Sequence, residues 1–163
     1  MPTQDERIDI AFLDIDGVFN SNEWYQSDMY GWLAGSPSPK RHFDPEPVEL
    51  FNILIRETKA KVVISSSWRT GRSVEELQAI FDEVGIEATV VGRIGELGDI
   101  ETLRGQVIER FMEKHGEHIR NYVIIDDHND MMDHQLPHFV KTDKLKRGFS
   151  YADLQKAKSI LTR

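Results

Sequence analysis

The sequence predicts an α/β fold, in which a parallel sheet of about five strands carries helices on both faces. Short apolar segments rich in β-branched residues alternate along the chain with longer segments whose apolar residues recur at helical spacing. This alternation is typical of βαβ units, whose strands run parallel. The first apolar segment, Ile8 to Leu13, is nearly continuous, as expected for a strand buried on both faces. At 163 residues the chain has the length of one domain with a full core, so we expect a single domain over residues 1–163.

Most of the later elements have a recognisable boundary. Asp44 and Pro45 are a typical helix N-cap and first helical residue. Ser73 and Glu76 form a capping-box pattern, and Gly85 follows as a helix end. Strands are predicted at residues 8–13, 61–65, 88–92, 122–126 and 139–142, and helices are predicted to begin after residues 44, 73, 102 and 150.

The stretch between the first strand and Asp44 shows neither the strand period nor the helix period. It contains Trp24, Tyr25, Tyr30 and Trp32, followed by a run rich in glycine, serine and proline. Long loops in compact domains are usually functional or disordered, and the aromatic residues argue against disorder. We therefore expect a small insert, or flap, at about residues 20–43.

Composition excludes several classes of protein. The absence of cysteine rules out disulfides and thiolate metal sites. A formal charge of -8 argues against general attraction to nucleic acid, although a local basic patch is compatible with it. No apolar run reaches membrane-spanning length, and the first residues lack the layout of a signal peptide. We expect a cytoplasmic protein without a membrane partner, and the sequence leaves its oligomeric state open.

Acidic and hydroxyl residues stand where three of the predicted strands end. Asp14 and Asp16 follow the first strand, Ser65 ends the second, and Asp126 and Asp127 end the fourth. Ligands of open α/β sheets bind at the carboxyl ends of the strands. Buried carboxylates are costly unless a cation holds them. The first pair alone is also compatible with a simple acidic turn, but together the strand ends indicate a polar site at one edge of the sheet.

These residues resemble the four motifs of the haloacid dehalogenase (HAD) superfamily, in the order of that superfamily. Residues 14–18, Asp-Ile-Asp-Gly-Val, match the first motif, and Ser65 matches the second. Arg104, at the start of a predicted helix, matches the basic third motif, where lysine is commoner. Asp126 and Asp127 match the acidic fourth motif. The resemblance covers nearly the whole chain and implies a Rossmann-like HAD fold.

The resemblance implies hydrolysis of phosphomonoesters with Mg²⁺ as cofactor. Asp14 would attack phosphorus and form an aspartyl-phosphate, and Asp16 would protonate the leaving oxygen and then activate water. Mg²⁺ prefers oxygen ligands. The implied ligands are a carboxylate oxygen of Asp14, the backbone carbonyl of Asp16, and Asp127. Asp126 would orient its neighbours, although on the sequence alone the two acids of the pair are exchangeable as direct metal ligands.

Two residues are implied as contacts of the phosphoryl group. Ser65 would donate to a phosphoryl oxygen, and Arg104 would neutralise the charge of the phosphorylated aspartate. Three serines follow one another, so Ser66 can take the role of Ser65. Arg110 is the competing candidate for the role of Arg104.

The expected substrate follows from the small size of the insertions. Specificity in the superfamily comes mostly from cap insertions, and the two insertion points hold only residues 20–43 and 93–103. A minimal cap leaves the site open to large phosphorylated substrates. The stretch at residues 65–69, Ser-Ser-Ser-Trp-Arg, resembles phosphatase modules of nucleic-acid end-repair proteins. This favours a nucleotide or the end phosphate of a polynucleotide as substrate.

Further residues are candidates for binding such a substrate, together with Ser66. Arg69 and Arg72 would contact additional phosphates. Trp24 and Trp32, and with them Tyr25 and Trp68, would stack on bases, or alternatively the aromatic residues would form a small core that holds the insert.

Other functions remain open on the sequence. The chain can also be interpreted as a non-catalytic phosphate- and Mg²⁺-binding regulatory module, or as a phosphatase of small metabolites or phosphoproteins. A receiver domain is disfavoured because the third strand ends in Val91 and Gly92 instead of an aspartate. A dinucleotide site is disfavoured because no G-x-G-x-x-G follows the first strand. His128, alone beside a loop, is interpreted as an exposed residue.

Overall fold

A computed structural model describes residues 6–95 and 103–163 of the chain. Five parallel strands form one sheet in the order β3-β2-β1-β4-β5. The strands are β1 (Ile8–Leu13), β2 (Lys61–Ile64), β3 (Val90–Arg93), β4 (Ile119–Asp126) and β5 (Phe139–Lys141). The helices are α1 (Asn22–Tyr25), α2 (Asp28–Leu33), α3 (Pro45–Thr58), α4 (Val74–Val84), α5 (Arg104–His115) and α6 (Tyr151–Leu161). The predicted fold class is confirmed.

The sheet is covered on both faces, as the apolar first strand predicted. On one face, Leu13 belongs to a buried cluster that includes side chains of α3, α4 and α6. On the other face, Phe12 belongs to a second cluster that includes Val107 and Ile108 of α5. Burying one such side chain contributes about 1.5–3 kcal/mol. The central strand is therefore held from both sides, and its carboxyl end is a fixed platform.

The fourth strand begins three residues earlier than the sequence predicted. Ile119 pairs with Ile8 at the start of β1, the register shifts at Arg120, and the ladder resumes where Asn121 pairs with Asp9. The guanidinium of Arg120 donates to the buried carboxylate of Asp9 on the neighbouring strand. This cross-strand ion pair satisfies a polar strand start that the apolar pattern could not indicate.

The insert at residues 20–43 contains two short helices and a 3-10 turn at Pro39–His42. The hydroxyls of Ser21 and Ser27 cap the two helices by accepting from the backbone N–H groups of Trp24 and Tyr30. These helices contain four and six residues, which is too short for a helical period to show in the sequence.

Within the described residues, none of the helices combines the length and the apolar character needed to span a membrane.

Candidate active site

The register of the parallel sheet brings the polar strand ends together. The backbone N–H of Ser65, just after β2, donates to the carbonyl of Leu13 at 2.9 Å. The N–H of Asp14, just after β1, donates to the carbonyl of Ile125 at 3.0 Å. Asp14 therefore lies between Ser65 on one side and Asp126 on the other, at the carboxyl edge of the three central strands.

A compact polar cluster lies at this edge. Asp14, Asp126, Asp127 and His128 each place one potential ligand atom within 4.8 Å of the others. Asp14 is 3% exposed, and Asp126 is fully buried. The sequence predicted the three carboxylates of this cluster but not the histidine.

Glycine at position 17 allows the first and fourth motif loops to approach each other. Gly17 has a φ of +83°, a conformation that favours glycine. A Cβ at this position would lie 2.5 Å from the carboxyl carbon of Asp127. A larger residue would therefore displace the acidic pair from Asp14.

Arg104 reaches the cluster from the first turn of α5. Its Nη1 lies 2.6 Å from Oδ2 of Asp126 and 3.2 Å from Oδ2 of Asp14. The helix begins without a capping side chain at Leu103, and the N–H of Arg104 instead donates to Oδ2 of Asp130 at 2.9 Å. This bond fixes the helix start against the loop after β4 and directs Arg104 to the acids. The alternative, Arg110, lines a separate groove on α5.

Burial and charge separate the acid strengths of two neighbouring carboxyls. Burial, followed by the negative charge of Asp126, raises the pKa of Asp14 to about 9 despite the opposing charge of Arg104. Burial also disfavours ionisation of Asp126, but the charge of Arg104 and hydrogen bonds from Arg104 and His128 hold the pKa of Asp126 below its ordinary value. Asp14, Asp126 and Asp127 thus place three carboxyl groups at this edge of the sheet, whereas Arg104 supplies one positive charge.

His128 is exposed, as the sequence indicated, but it also contacts the acidic pair. Its Nδ1 lies 2.9 Å from Oδ1 of Asp126, and its backbone N–H donates to the same oxygen at 2.9 Å. The same Nδ1 lies 3.2 Å from Oδ1 of Asp127, although the side chain is 54% exposed. Its position directly after the acidic pair was the available signal, because a residue next to the end of a strand shares its edge.

The first two serines after β2 differ in their bonding. Ser65 is buried, and its Oγ has no hydrogen-bond partner. The Oγ of Ser66 accepts from the N–H of Trp68 at 3.2 Å and caps the 3-10 turn at Ser67–Arg69. The hydroxyl of Ser65 thus has no partner among the described residues, whereas that of Ser66 stabilises the 3-10 turn.

The side chain of Asp16 is exposed and turns away from the acidic cluster, toward the insert. Its Oδ1 accepts from Nδ2 of Asn20 at 2.9 Å, and its Oδ2 accepts from Nε1 of Trp68 at 3.1 Å. Asn20 also accepts from the N–H of Gly17 at 3.0 Å and donates to the carbonyl of His42 at 3.0 Å. Both oxygens of Asp16 are therefore held in place.

A cavity of about 520 Å³ opens between the insert and the segment after β2, and its lining residue Trp68 donates to Asp16. Its cationic and aromatic lining residues are Arg41, His42, Trp68 and Arg72. Cζ of Arg72 lies 5.4 Å from the centre of the Trp68 ring. Arg69 is not among the lining residues, and its Nη1 donates to the carbonyl of Ser66 at 3.0 Å. The cavity thus lies between the insert and the segment after β2.

The two candidate tryptophans of the insert differ in exposure. Trp24 is only 2% exposed, and its Nε1 donates to the carbonyl of Arg41 at 2.8 Å. Its ring therefore packs inside the insert and offers no face to a base. Trp32 is 89% exposed on α2, but it is not among the residues that line the cavity. We assign Trp24 to the packing of the insert, and Trp68 provides the aromatic wall of the cavity.

A family model described as the HAD domain in Swiss Army Knife RNA repair proteins matches residues 10–154. The chain belongs to this family. The match confirms the resemblance that the four motifs indicated, and it extends from β1 into α6. Searches of curated proteins and of solved structures found no match.

The acidic cluster of this HAD domain fits a divalent cation. Oδ1 of Asp127 is buried and accepts no hydrogen bond. Burial and the charge of Asp126 raise the pKa of Asp14, which means that the side chains around it do not fully stabilise its ionised form. Oxygen ligands of this kind suit hard cations such as Mg²⁺.

Proposed function

We propose that this HAD domain is a Mg²⁺-dependent phosphatase that removes the end phosphate of a polynucleotide or nucleotide. The observation that carries the proposal is the placement of Asp14. Its buried carboxyl lies beside the guanidinium of Arg104 on one side and the unpaired hydroxyl of Ser65 on the next strand. A nucleophile, a cation and a hydrogen-bond donor at one strand edge are the groups that phosphoryl transfer needs. The family description favours RNA as the polynucleotide.

The first step transfers the phosphoryl group to Asp14. A carboxylate oxygen of Asp14 forms a bond to phosphorus while the ester bond breaks, and its electron pair stays on the leaving oxygen. Asp16 gives that oxygen a proton. In the second step, Asp16 takes a proton from water, the water oxygen attacks phosphorus, and the bond to Asp14 breaks. The hydrogen bonds from Asn20 and Trp68 support this role because they orient both oxygens of Asp16.

Three residues support the transferred group. The Ser65 hydroxyl donates to a phosphoryl oxygen, and Arg104 neutralises the charge of the phosphorylated Asp14. Asp126 holds Arg104 at 2.6 Å and thereby fixes its direction.

The proposed cation ligands are Asp14, the backbone carbonyl of Asp16, and Asp127. Both oxygens of Asp126 accept hydrogen bonds, from Arg104 and from His128, whereas Oδ1 of Asp127 accepts none and lies 3.2 Å from Nδ1 of His128. This difference supports Asp127 as the direct ligand of the pair. Bound Mg²⁺ supplies positive charge that lets the carboxylate approach an anionic phosphate.

The cavity supports a nucleotide as the leaving group. Its volume of about 520 Å³ lies within the common range for small-ligand pockets, about 300–1,000 Å³. Trp68 and His42 offer aromatic surfaces to a base, and Arg41 and Arg72 offer positive charge to a neighbouring phosphate. These two arginines provide local attraction in a chain whose formal charge is -8.

The test is a phosphate-release screen with Mg²⁺ and with excess chelator. Substrates should include 5′- and 3′-phosphorylated RNA and DNA oligonucleotides, mononucleotides, sugar phosphates and phosphopeptides. We expect the highest kcat/KM for an oligonucleotide end, no activity in chelator, and no turnover by Asp14→Asn. A preference for a sugar phosphate or phosphopeptide would reject the polynucleotide substrate. Oligonucleotide binding with no phosphate release from any substrate would instead indicate a non-catalytic binding module.

A further inference from the structure

We propose that Trp68 is a positioning residue that couples the nucleotide cavity to the general acid Asp16. The inference rests on the proposed function and assigns a specific role to a residue 52 positions away from Asp16 in the sequence. The contact that carries it is the 3.1 Å hydrogen bond from Nε1 of Trp68 to Oδ2 of Asp16.

The two oxygens of Asp16 are held by residues from different parts of the fold. Asn20 begins the insert and donates to Oδ1, whereas Trp68 lies in the segment after β2 and donates to Oδ2. An indole N–H can only donate, so its direction is unambiguous. Without Trp68, Asp16 would retain a single side-chain donor and could rotate away from the leaving oxygen. Small displacements of a proton donor have large effects on rate.

The orientation of Trp68 is itself set by the walls of the cavity. Its ring centre lies 5.5 Å from that of Phe43 and 5.7 Å from that of His42, both edge-to-face. Arg72 lies over the ring, and Ser66 fixes the backbone through the 3-10 turn. A nucleoside in the cavity would contact the same ring whose N–H holds Asp16. Filling the cavity would therefore stabilise the orientation of the acid.

Proton donation matters most when the leaving oxygen is strongly basic. A nucleoside alkoxide needs the proton of Asp16, whereas 4-nitrophenolate leaves readily without it. Loss of the Trp68 hydrogen bond should therefore slow the cleavage of alkyl phosphates more than that of aryl phosphates. A role in packing alone would slow both classes by the same factor.

Trp68→Phe tests this difference because phenylalanine keeps an aromatic ring and removes the N–H donor. The measured quantity is kcat/KM for ethyl phosphate and for 4-nitrophenyl phosphate. This constant depends only on the steps up to cleavage of the ester bond, so it is not affected by the later hydrolysis of the phosphorylated Asp14. We expect a loss of about tenfold or more for ethyl phosphate and less than about threefold for 4-nitrophenyl phosphate. Glu83→Gln is the matched control: it changes another lining residue of the cavity, leaves Trp68 and Asp16 in place, and should change both values by the same factor.

A second measurement follows the hydrogen bond without turnover. The Nε1–H signal of Trp68 is assigned in a ¹H–¹⁵N spectrum by its absence in Trp68→Phe. Asp16→Asn replaces one of the two acceptor oxygens with an NH₂ group and should shift this signal and increase its exchange with water. The Nε1–H of Trp24, which donates to a backbone carbonyl, is the internal control and should not move.

Equal losses of kcat/KM for the two phosphates, or an unchanged Trp68 signal in Asp16→Asn, would overturn the proposed coupling. If the wild-type chain hydrolyses no phosphoester at all, the proposed function fails, and the catalytic role of Trp68 fails with it. If the wild type is active but Trp68→Phe shows no leaving-group selectivity, only the role of Trp68 is rejected.

Discussion

Replacing Asp14 with asparagine should change how the stability of the cation-free chain depends on pH. The pKa of the buried Asp14 carboxyl is raised from 3.8 to about 9, so the folded state binds more protons than the unfolded state between these values. The free energy of unfolding therefore falls as pH rises through this window. Above about pH 3.8 the unfolded state ionises this carboxyl while the folded state keeps it protonated. Each pKa unit corresponds to about 1.4 kcal/mol, so the stability lost by pH 7 is at most about 4 kcal/mol. Asp14→Asn removes that dependence.

The assay is urea unfolding in excess chelator at several pH values from 4 to 8. The stability of Asp14→Asn relative to wild type should rise with pH, by up to about 4 kcal/mol near pH 7. The variant also alters the 3.2 Å contact with Nη1 of Arg104, so the informative quantity is the slope of the stability against pH. Ser65→Ala is the control, since it alters the same edge without removing a titratable group and should keep the wild-type slope.

Adding Mg²⁺ provides the complementary measurement. A cation bound only by the folded state at one hundred times its dissociation constant stabilises by about 2.7 kcal/mol. Wild type should gain this stability and lose part of its pH dependence, and Asp14→Asn should gain less. If the free energy of unfolding in chelator changes with pH in the same way for Asp14→Asn and wild type, burial and the charge of Asp126 do not raise the pKa of Asp14.

Three other predictions concern the acidic pair, the cavity and the insert. Asp127→Ala should raise the Mg²⁺ concentration needed for half-maximal stabilisation more than Asp126→Ala does, because Asp126 already accepts hydrogen bonds from other side chains. A thermal-shift titration with Mg²⁺ measures this concentration. If Asp126→Ala has the larger effect, Asp126 is the direct ligand instead of Asp127. Arg72→Ala should reduce the slope of log affinity against log salt for a single-stranded oligonucleotide by about 0.7, and an unchanged slope in fluorescence anisotropy would remove this residue from the phosphate contacts. Trp24→Ala should destabilise the chain by about 3–5 kcal/mol, whereas Trp32→Ala, at an exposed position, should stay within about 0.5 kcal/mol; similar urea midpoints for the two variants would contradict the assignment of Trp24 to the core of the insert.

The sequence by itself determined the fold class and the order of the four motifs. Both can be predicted from patterns of neighbouring residues, because apolar residues recur with different periods in strands and helices and the residue type changes where a strand ends. The parallel sheet then follows from the alternation of elements, and carboxyl ends of parallel strands share one edge. Asp14, Ser65 and Asp126 could therefore be expected near each other before any coordinates were known.

Elements stabilised by partners distant in the sequence were harder to predict. The polar start of β4 is a strand because Arg120 pairs with Asp9 on β1. The helices α1 and α2 are too short to show a period and depend on single serine caps. In both regions, the local sequence carries little of the information that decides the structure.

Only the tertiary structure decided which side chains meet. Trp24 and Trp32 look equivalent in the sequence, yet one is 2% and the other 89% exposed, because burial depends on what the rest of the chain packs against each ring. Likewise, Trp68 meets Asp16 only because β1 and β2 are neighbours in the sheet and the insert folds beside the segment after β2. Sequence patterns report the environment of a residue along the chain, whereas a hydrogen bond across 52 positions depends on the packing of whole elements.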